Sequence, residues 1–179
     1  MKIRLLTLIL VFSLGIACSS DDDAATQENL EDPVNAFVFD GILFDMQTLW
    51  IFDENTQSDE PSKIGFNFFN KTTAQMTSGE DLEDITAIYF ALTDDVIKAV
   101  TYTNVVDYEF FVEGTISEGS YSRGDAILNY QVTAEQAVAI KVVINRITAS
   151  EISLDFSFTR NDGEVIYGNY SGTYLNLND

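Results

Sequence analysis

The 179-residue chain has no histidine and a single cysteine, Cys18. Without histidine, Ser-His-Asp triads and the common histidine-containing zinc sites are excluded. A lone cysteine cannot form a disulfide within the chain, and the Ser and Asp residues that follow Cys18 are untypical of a buried thiol. An enzyme made from this chain would have to use carboxylates, tyrosine, serine or lysine, and we expect no catalytic activity.

Basic residues and long apolar runs are also scarce. Nine Lys and Arg residues stand against 29 Asp and Glu, so the formal net charge is −20. A domain with this charge repels phosphates and anionic head groups, which argues against nucleic-acid binding. The apolar run at residues 5–12 is shorter than the roughly 20 residues that a membrane-spanning helix needs.

The first 17 residues have the pattern of a secretory signal peptide. Lys2 and Arg4 precede the apolar run, and the small residues Gly15 and Ala17 come just before Cys18. Cleavage after Ala17 would remove two of the nine basic residues, leaving seven against 29 acidic residues and a net charge of −22. Cys18 would then be the first residue of the mature chain.

Cys18 and the five residues that follow it resemble known targeting signals. A cysteine directly after a signal peptide resembles the lipobox of bacterial lipoproteins, although Gly15 stands where leucine is usual. The next five residues are similar to the acidic export signal of Bacteroidota surface lipoproteins: Ser19, Ser20, Asp21, Asp22 and Asp23. The resemblance implies a lipid on Cys18, an outer-membrane anchor and a domain exposed at the cell surface. A solvated tether is the alternative for the acidic run.

Residues 18–35 are predicted to comprise the lipidated cysteine and a flexible acidic tether. Leu30 and Val34 are the only sizeable apolar residues after Cys18 in this stretch, and they cannot bury enough surface to offset the entropy of ordering. Residues 36–179 are then close to the usual size of a single domain.

Short runs of aromatic and β-branched residues follow one another from residue 36, separated by Gly, Asn, Asp and Ser. Apolar and polar residues alternate over 151–158, and the Asn-Asp-Gly turn at 161–163 predicts a hairpin with the next strand. Asp40 and Gly41 predict a second tight hairpin. We expect an all-β domain, an antiparallel β-sandwich or barrel of about 8 to 10 strands with at most one or two helical turns.

Connecting segments are predicted from polar and capping residues. The polar stretch at residues 53–63 predicts a surface loop. Ser78 is a candidate N-cap for one helical turn, and Thr133 could cap another that runs to Ala139. These are the helical turns that the sequence allows.

Glycines mark further irregular positions. Gly114 and Gly119 are candidate bulge or turn residues. Arg123, Gly124 and Asp125 resemble the integrin-recognition tripeptide, but a glycine between polar residues is also what a turn between strands requires. We therefore expect a turn there.

The order of the strand and turn segments looks like that of small β-rich lipoproteins common in Bacteroidota genomes. FVFDG, GFNFF and the C-terminal NDGEVIYGNYSGTY carry this likeness. The resemblance implies no shared activity that could be assigned to individual residues.

Carboxylates are the acidic groups that could support a glycosidase, which needs two of them facing each other and one with a raised pKa. The candidates are Asp53, Glu54, Asp94, Asp95, Glu109 and Glu113. Most of them fall in polar loops or on solvent-facing strand positions. This is the least favoured of the functions considered.

Calcium is the ion that acidic loops accommodate most readily. The candidate ligands are Asp53, Asn55, Asp59 and Glu60 in one loop and Glu80, Asp81, Glu83 and Asp84 in another. Neither loop has the alternating acidic spacing and glycine of a known calcium loop, so we expect solvated charge and assign no metal or cofactor.

Aromatic residues on strand faces are the remaining candidates for binding, because they stack on sugars and make protein contacts. We predict a ligand surface at Trp50, Tyr167, Tyr170 and Tyr174. Gly168 and Gly172 share a strand face with Tyr170 and should leave flat room beside its ring. Half-buried structural positions, which tyrosine favours, are the alternative.

These observations predict an outer-membrane-anchored surface lipoprotein that acts as a binding or adhesion module for a glycan or a protein. A structural or accessory subunit of an outer-membrane complex is the alternative, and it would require a large exposed apolar patch. A carboxylate glycosidase would require a facing carboxylate pair roughly 5 to 9 Å apart.

Overall fold

The computed structural model describes residues 33–53 and 61–178, which fall within one compact unit. The predicted signal peptide, Cys18, the acidic run at 19–23 and most of the tether lie outside the described residues. The predictions made for them stay predictions.

The described residues form two sheets packed face to face, which confirms the predicted all-β sandwich. Sheet A has the order β2-β1-β12-β11-β10-β6, with β1 Ala36–Phe39, β2 Ile42–Asp45, β6 Thr101–Tyr102, β10 Ala137–Ile147, β11 Glu151–Arg160 and β12 Val165–Thr173. Sheet B has the order β13-β3-β4-β5-β7-β8, with β3 Thr48–Asp53, β4 Ser62–Phe69, β5 Leu82–Asp94, β7 Asp107–Ser117, β8 Ser120–Ser122 and β13 Leu175–Asn176. Strand β9, Asp125–Asn129, pairs with β7 beside β8.

Ten of the 13 described strands have four or more residues, which agrees with the expected number. Among the described strands the pairing is antiparallel, except that β13 lies parallel to β3. Each sheet has two edges, so the architecture is a sandwich and not a closed barrel.

The core lies between the sheets and is built mainly from alternate residues of the longer strands. On β11 the predicted inward residues are all buried: Ile152, Leu154, Phe156 and Phe158. Phe68 of β4 and Phe156 meet across the sandwich with ring centroids 6.2 Å apart, and Phe90 of β5 lies 5.9 Å from Phe158. These contacts join the two sheets into one core.

Two predicted hairpins are confirmed. Asp40 and Gly41 connect β1 and β2 with φ values of 50° and 71°, as a two-residue type I′ turn requires. Gly163, with φ of 92°, lies in the turn between β11 and β12.

Two helical turns are present in the described ranges, but the N-caps predicted for them are wrong. Helix α1, Thr73–Met76, is capped by Thr72, whose hydroxyl accepts from Gln75 N while the Gln75 side chain accepts from Thr72 N. Ser78 follows this helix instead of starting one. A 3₁₀ turn at Thr133–Glu135 has no side-chain cap, and β10 already begins at Ala137.

No helix in the described ranges is long and apolar enough to cross a bilayer.

The predicted polar loop is shorter than expected. Asp53 ends β3, and Ser62 and Lys63 begin β4, so only residues 54–61 connect the two strands, and 54–60 lie outside the described residues. The Ser62 hydroxyl donates to the Asp53 carboxylate, which ties the two strand ends together.

The pairing of β5 with β7 is interrupted by bulges, as predicted near Gly114. The register shifts between the pairs Leu82 with Ile116, Ile85 with Gly114, and Ala87 with Phe111. Asp84 and Glu113 lie at these shifts and have positive φ values of 51° and 59°. The bulges bend this end of sheet B.

Candidate binding groove on the outer face of sheet B

The four aromatic residues predicted to form a ligand surface lie in different parts of the molecule. Trp50 is on the outer face of sheet B, Tyr167 is on the outer face of sheet A, and Tyr170 points into the core between them. They therefore do not form one surface.

Tyr170 is a core residue, and the prediction of open room beside it is wrong. Its side chain is 3% exposed, and its ring lies edge-on to Phe68 with centroids 5.5 Å apart. The hydroxyl donates to the carbonyl of Thr173 at 2.6 Å, and burial raises the pKa of this hydroxyl. The ring itself fills the space above Gly172, where a Cβ would lie 3.2 Å from the Tyr170 hydroxyl.

Tyr174 and Tyr167 are half-buried. The Tyr174 hydroxyl donates to Thr148 O at 2.8 Å and ties the chain after β12 to the connection between β10 and β11. Tyr167 borders an open depression of about 400 Å³ on sheet A, together with Lys141 and Asp155. Tyr167 thus lies on the outer face of sheet A, on the opposite side of the sandwich from Trp50.

A groove of about 440 Å³ lies on the outer face of sheet B. It crosses the three neighbouring strands β4, β5 and β7 and reaches β8. Its aromatic side chains are Phe69, Tyr89, Phe111 and Tyr121. An outer sheet face is normally polar, so these side chains distinguish this face from an ordinary solvated one.

Helix α1 forms one wall of the groove through Met76. Trp50 holds the helix in place, because its indole N–H donates to Thr73 Oγ1 at 3.2 Å. The indole ring also lies against Phe69, with centroids 5.0 Å apart and an interplanar angle of 60°. Trp50 therefore positions the wall, although it does not itself line the groove.

Tyr121 forms the opposite wall and is 43% exposed. Its ring lies across Gly114, where a Cβ would come within 3.1 Å of the tyrosine hydroxyl and Cε2. Burial raises the pKa of the Tyr121 hydroxyl, with smaller opposing effects of Arg123 and Glu109. The hydroxyl therefore stays protonated at neutral pH and can both donate and accept a hydrogen bond.

The Arg123-Gly124-Asp125 segment does not form the predicted turn. It joins β8 and β9, which both pair antiparallel with β7, so the chain keeps its direction. A Cβ on Gly124 would lie 1.8 Å from the Val112 carbonyl, because the segment presses against the β7 bulge. The glycine is required by this close approach.

Arg123 covers the end of the groove. Its guanidinium lies 5.0 Å from the Phe111 ring centroid and donates to both carboxylate oxygens of Glu109, at 3.0 and 3.2 Å. The pair leaves a neutral polar edge beside an aromatic floor. Arg123 is thus held against the sheet, unlike the arginine of a protruding recognition loop.

Asn67 and Phe52 complete the surface around Tyr89. Asn67 lies between Trp50 and Tyr89 in the register of β3, β4 and β5, and its side-chain amide has no hydrogen bond within the described residues. The Phe52 ring lies over Gly65 and stacks with Tyr89, with centroids 6.2 Å apart and planes 10° from parallel. Phe52 and Tyr89 thus form a half-buried aromatic pair beside the groove.

The candidate glycosidase carboxylates are not brought together in the groove, where Glu109 is the single carboxylate lining it. Asp94 and Asp95 both bind Lys98 Nζ, at 2.7 and 2.5 Å. Hydrogen bonding with Asp95 and then with Lys98 holds the pKa of Asp94 well below its usual range, although burial opposes this. A general acid needs the opposite shift.

The remaining acidic candidates serve local structure or lie outside the described residues. Glu113 is exposed at the β7 bulge, and Glu54 falls in the segment that is not described. Asp81, a candidate calcium ligand, accepts from Glu118 N at 2.9 Å and from the Ser117 hydroxyl at 3.3 Å. Over residues 33–53 and 61–178, no three carboxylates converge on a possible metal position. The ligand candidates outside these ranges are Asn55, Asp59 and Glu60.

Sequence reasoning missed most of the residues that line the groove. Phe69, Tyr89 and Phe111 occupy outward positions on strands whose inward positions are also apolar. A strand that is apolar on both faces needs a cover on each face, or else it exposes a binding surface. That pattern was the signal that could have identified them.

The chain matches no protein-family model, no curated protein and no solved structure. The function is therefore inferred from the residues and from the geometry of the groove.

Proposed function

We propose that this protein is a surface lipoprotein anchored in the outer membrane by a lipid on Cys18, and that its sandwich domain is a non-catalytic binding module for a glycan or a protein. The observation that supports binding is the groove between Met76 and Tyr121 on sheet B. The pattern of residues 1–23 supports the anchor and the surface location.

Binding through this groove is favoured because its floor is aromatic while its edge is polar. Binding sites are commonly apolar concavities with a few polar groups that orient the ligand. Here the floor is provided by Phe69, Tyr89 and Phe111, and the polar edge by Asn67 and the Glu109–Arg123 pair.

A second candidate is an accessory subunit of an outer-membrane complex. Edge strand β2 favours it, because Ile42 and Leu43 are each 56% exposed on a strand that pairs only with β1 in the described sheet. Exposed apolar side chains beside free backbone groups are suited to pairing with a strand of another protein.

The anchor and the surface location are tested together in cells that express the full chain. An alkyne-labelled fatty acid should label the wild-type protein, and Cys18→Ala should abolish the label and release the protein from the membrane fraction. Protease added to intact cells should degrade the domain while a periplasmic control protein survives. Protection of the domain until the cells are lysed would contradict the surface location.

A further inference from the structure

The groove combines features that select among ligand classes. Its aromatic side chains offer flat apolar surface, and its polar groups carry hydrogen-bond donors and acceptors side by side. We propose that the ligand of this groove is an uncharged pyranose ring of a glycan. This inference rests on the proposed binding function and names the ligand class for the same site.

The charge of the groove favours a neutral ligand. Arg123 and Glu109 neutralise each other at 3.0 Å, so neither an anion nor a cation finds an unpaired opposite charge there. The overall net charge of −20 repels anionic ligands further. Acidic saccharides and phosphorylated ligands are therefore disfavoured.

The shape of the aromatic surface suits the apolar face of a sugar ring. Tyr121 is 43% exposed at the wall, with its ring lying across Gly114, whereas Phe111 is 7% exposed and closes the floor beneath Arg123. The axial C–H groups of a pyranose pack against an exposed ring face such as that of Tyr121, and a rigid aromatic ring loses little entropy on contact. The volume of about 440 Å³ is within the range of small-ligand pockets.

The polar groups suit sugar hydroxyls, each of which donates and accepts a hydrogen bond. The Asn67 amide supplies both functions and has no partner within the described part of the chain. The Tyr121 hydroxyl is protonated and also supplies both. A purely apolar ligand would leave these groups without partners, which lowers its affinity.

An extended peptide is a poorer fit to this floor. Strands β4, β5 and β7 each have neighbours on both sides, so their backbone groups are already used in sheet pairing. Recognition of a peptide strand relies on free main-chain groups at a sheet edge, and the groove floor offers none. A ligand here must be recognised by side chains alone.

The test measures binding of the full-length protein, in detergent micelles, to an array of uncharged, sulfated and uronic-acid-containing oligosaccharides. We expect binding to uncharged oligosaccharides that changes little with ionic strength. Tyr121→Ala should weaken this binding at least about tenfold, a loss of about 1.4 kcal/mol, because it removes the stacking ring. Tyr121→Phe keeps the ring and should therefore weaken oligosaccharide binding less than Tyr121→Ala does.

Matched controls separate binding from folding. Tyr167→Ala removes the same residue type from the outer face of sheet A and should leave binding unchanged, as should Ala74→Glu on the exposed side of α1. Met76→Glu, on the groove side of the same helix, should weaken binding. Thermal unfolding of each variant shows whether the fold is intact.

The outcomes distinguish this inference from the proposed function. Binding of acidic glycans alone would overturn the inference. Equal losses of oligosaccharide affinity in Tyr167→Ala and Tyr121→Ala would also overturn it. If no glycan binds but solubilised outer-membrane proteins are retained by wild type and Ala74→Glu and not by Met76→Glu, the ligand class is wrong while the binding function stands. If the wild-type protein binds neither a glycan nor an outer-membrane protein, both the ligand class and the proposed binding function are wrong.

Discussion

Single residues determine how closely neighbouring strands and rings can approach in this sandwich. Gly168 of β12 is the tightest case in the core. A Cβ there would lie 2.5 Å from the Ala36 carbonyl, 2.6 Å from Phe37 Cβ and 2.8 Å from Phe156 Cζ. Backbone and packed ring atoms surround it on the side where a side chain would be, so glycine is required by space and not by backbone conformation.

Gly168→Ala should destabilise the domain by about 1–3 kcal/mol, because an added methyl group in a filled core displaces its neighbours. Gly172→Ala is the control on the same strand. Its Cβ would be 3.2 Å from the hydroxyl end of Tyr170, which can shift more easily, so the loss should be smaller. Urea unfolding midpoints measure both, and equal losses would contradict this account of Gly168.

Elements outside the sheets depend on a few side-chain contacts. Helix α1 has four residues, far fewer than an isolated helix needs to be stable in water. Its capping box, Thr72 with Gln75, and the hydrogen bond from Trp50 to Thr73 hold it on sheet B. The position of Met76, and with it the width of the groove, follows from these contacts.

Thr73→Val should cost about 1 kcal/mol, because the Trp50 indole N–H loses its acceptor. Trp50 is the only tryptophan in the chain, so tryptophan fluorescence reports on the surroundings of this one side chain. We expect a shift of the emission maximum in Thr73→Val and none in Ala74→Ser, which changes an exposed neighbour. An unchanged spectrum and an unchanged unfolding midpoint would show that Trp50 does not hold the helix.

The position of α1 could have been predicted from the chain. Thr72 and Gln75 have the spacing of a capping box, whereas Ser78 lacks a glutamate or glutamine three residues later. Ser78 is a residue type that caps helices, but the segment after it leads into β5, which begins at Leu82. The capping signal was thus present in the sequence but was assigned to the wrong residue.

For the whole molecule, the excess of acidic groups sets how stability depends on pH. The sequence pI is about 4.1, so acidification toward that value reduces the repulsion among carboxylates. The Asp94–Lys98 cluster has the opposite effect on stability, because acidification removes the charge of Asp94 and weakens its contacts. Asp94 accepts hydrogen bonds from Lys98 Nζ at 2.7 Å and from the Tyr102 hydroxyl at 2.9 Å, which join the end of β5 to β6.

Asp94→Asn isolates this contribution. Hydrogen bonding with Asp95 and Lys98 lowers the pKa of Asp94 in the folded protein below its unfolded value of about 3.9. The ionised carboxylate therefore stabilises the fold above about pH 4, and this stabilisation is lost as the pH falls toward the folded pKa.

The measurement is the difference in unfolding free energy between wild type and Asp94→Asn from about pH 2 to pH 7. The difference should be largest near neutral pH and shrink below about pH 4. Glu80→Gln, which removes an exposed carboxylate, should show a smaller difference throughout. A difference that is constant with pH would contradict the role of Asp94.

The sequence by itself determined the fold class and several local structures. Alternation on β11 and the Asp40-Gly41 turn depend on residues close together in the chain, so the backbone geometry follows from local patterns. The absence of histidine limited the possible chemistry in the same direct way.

Only the tertiary structure decided which aromatic residues are exposed. A period of two assigns side chains to two faces, but it does not say which face meets the other sheet when both are apolar. Gly168 lies against Phe37, more than 100 residues away in the chain, and Tyr170 becomes core while Tyr121 lines a groove. Burial depends on long-range packing of this kind, and local sequence carries little information about it.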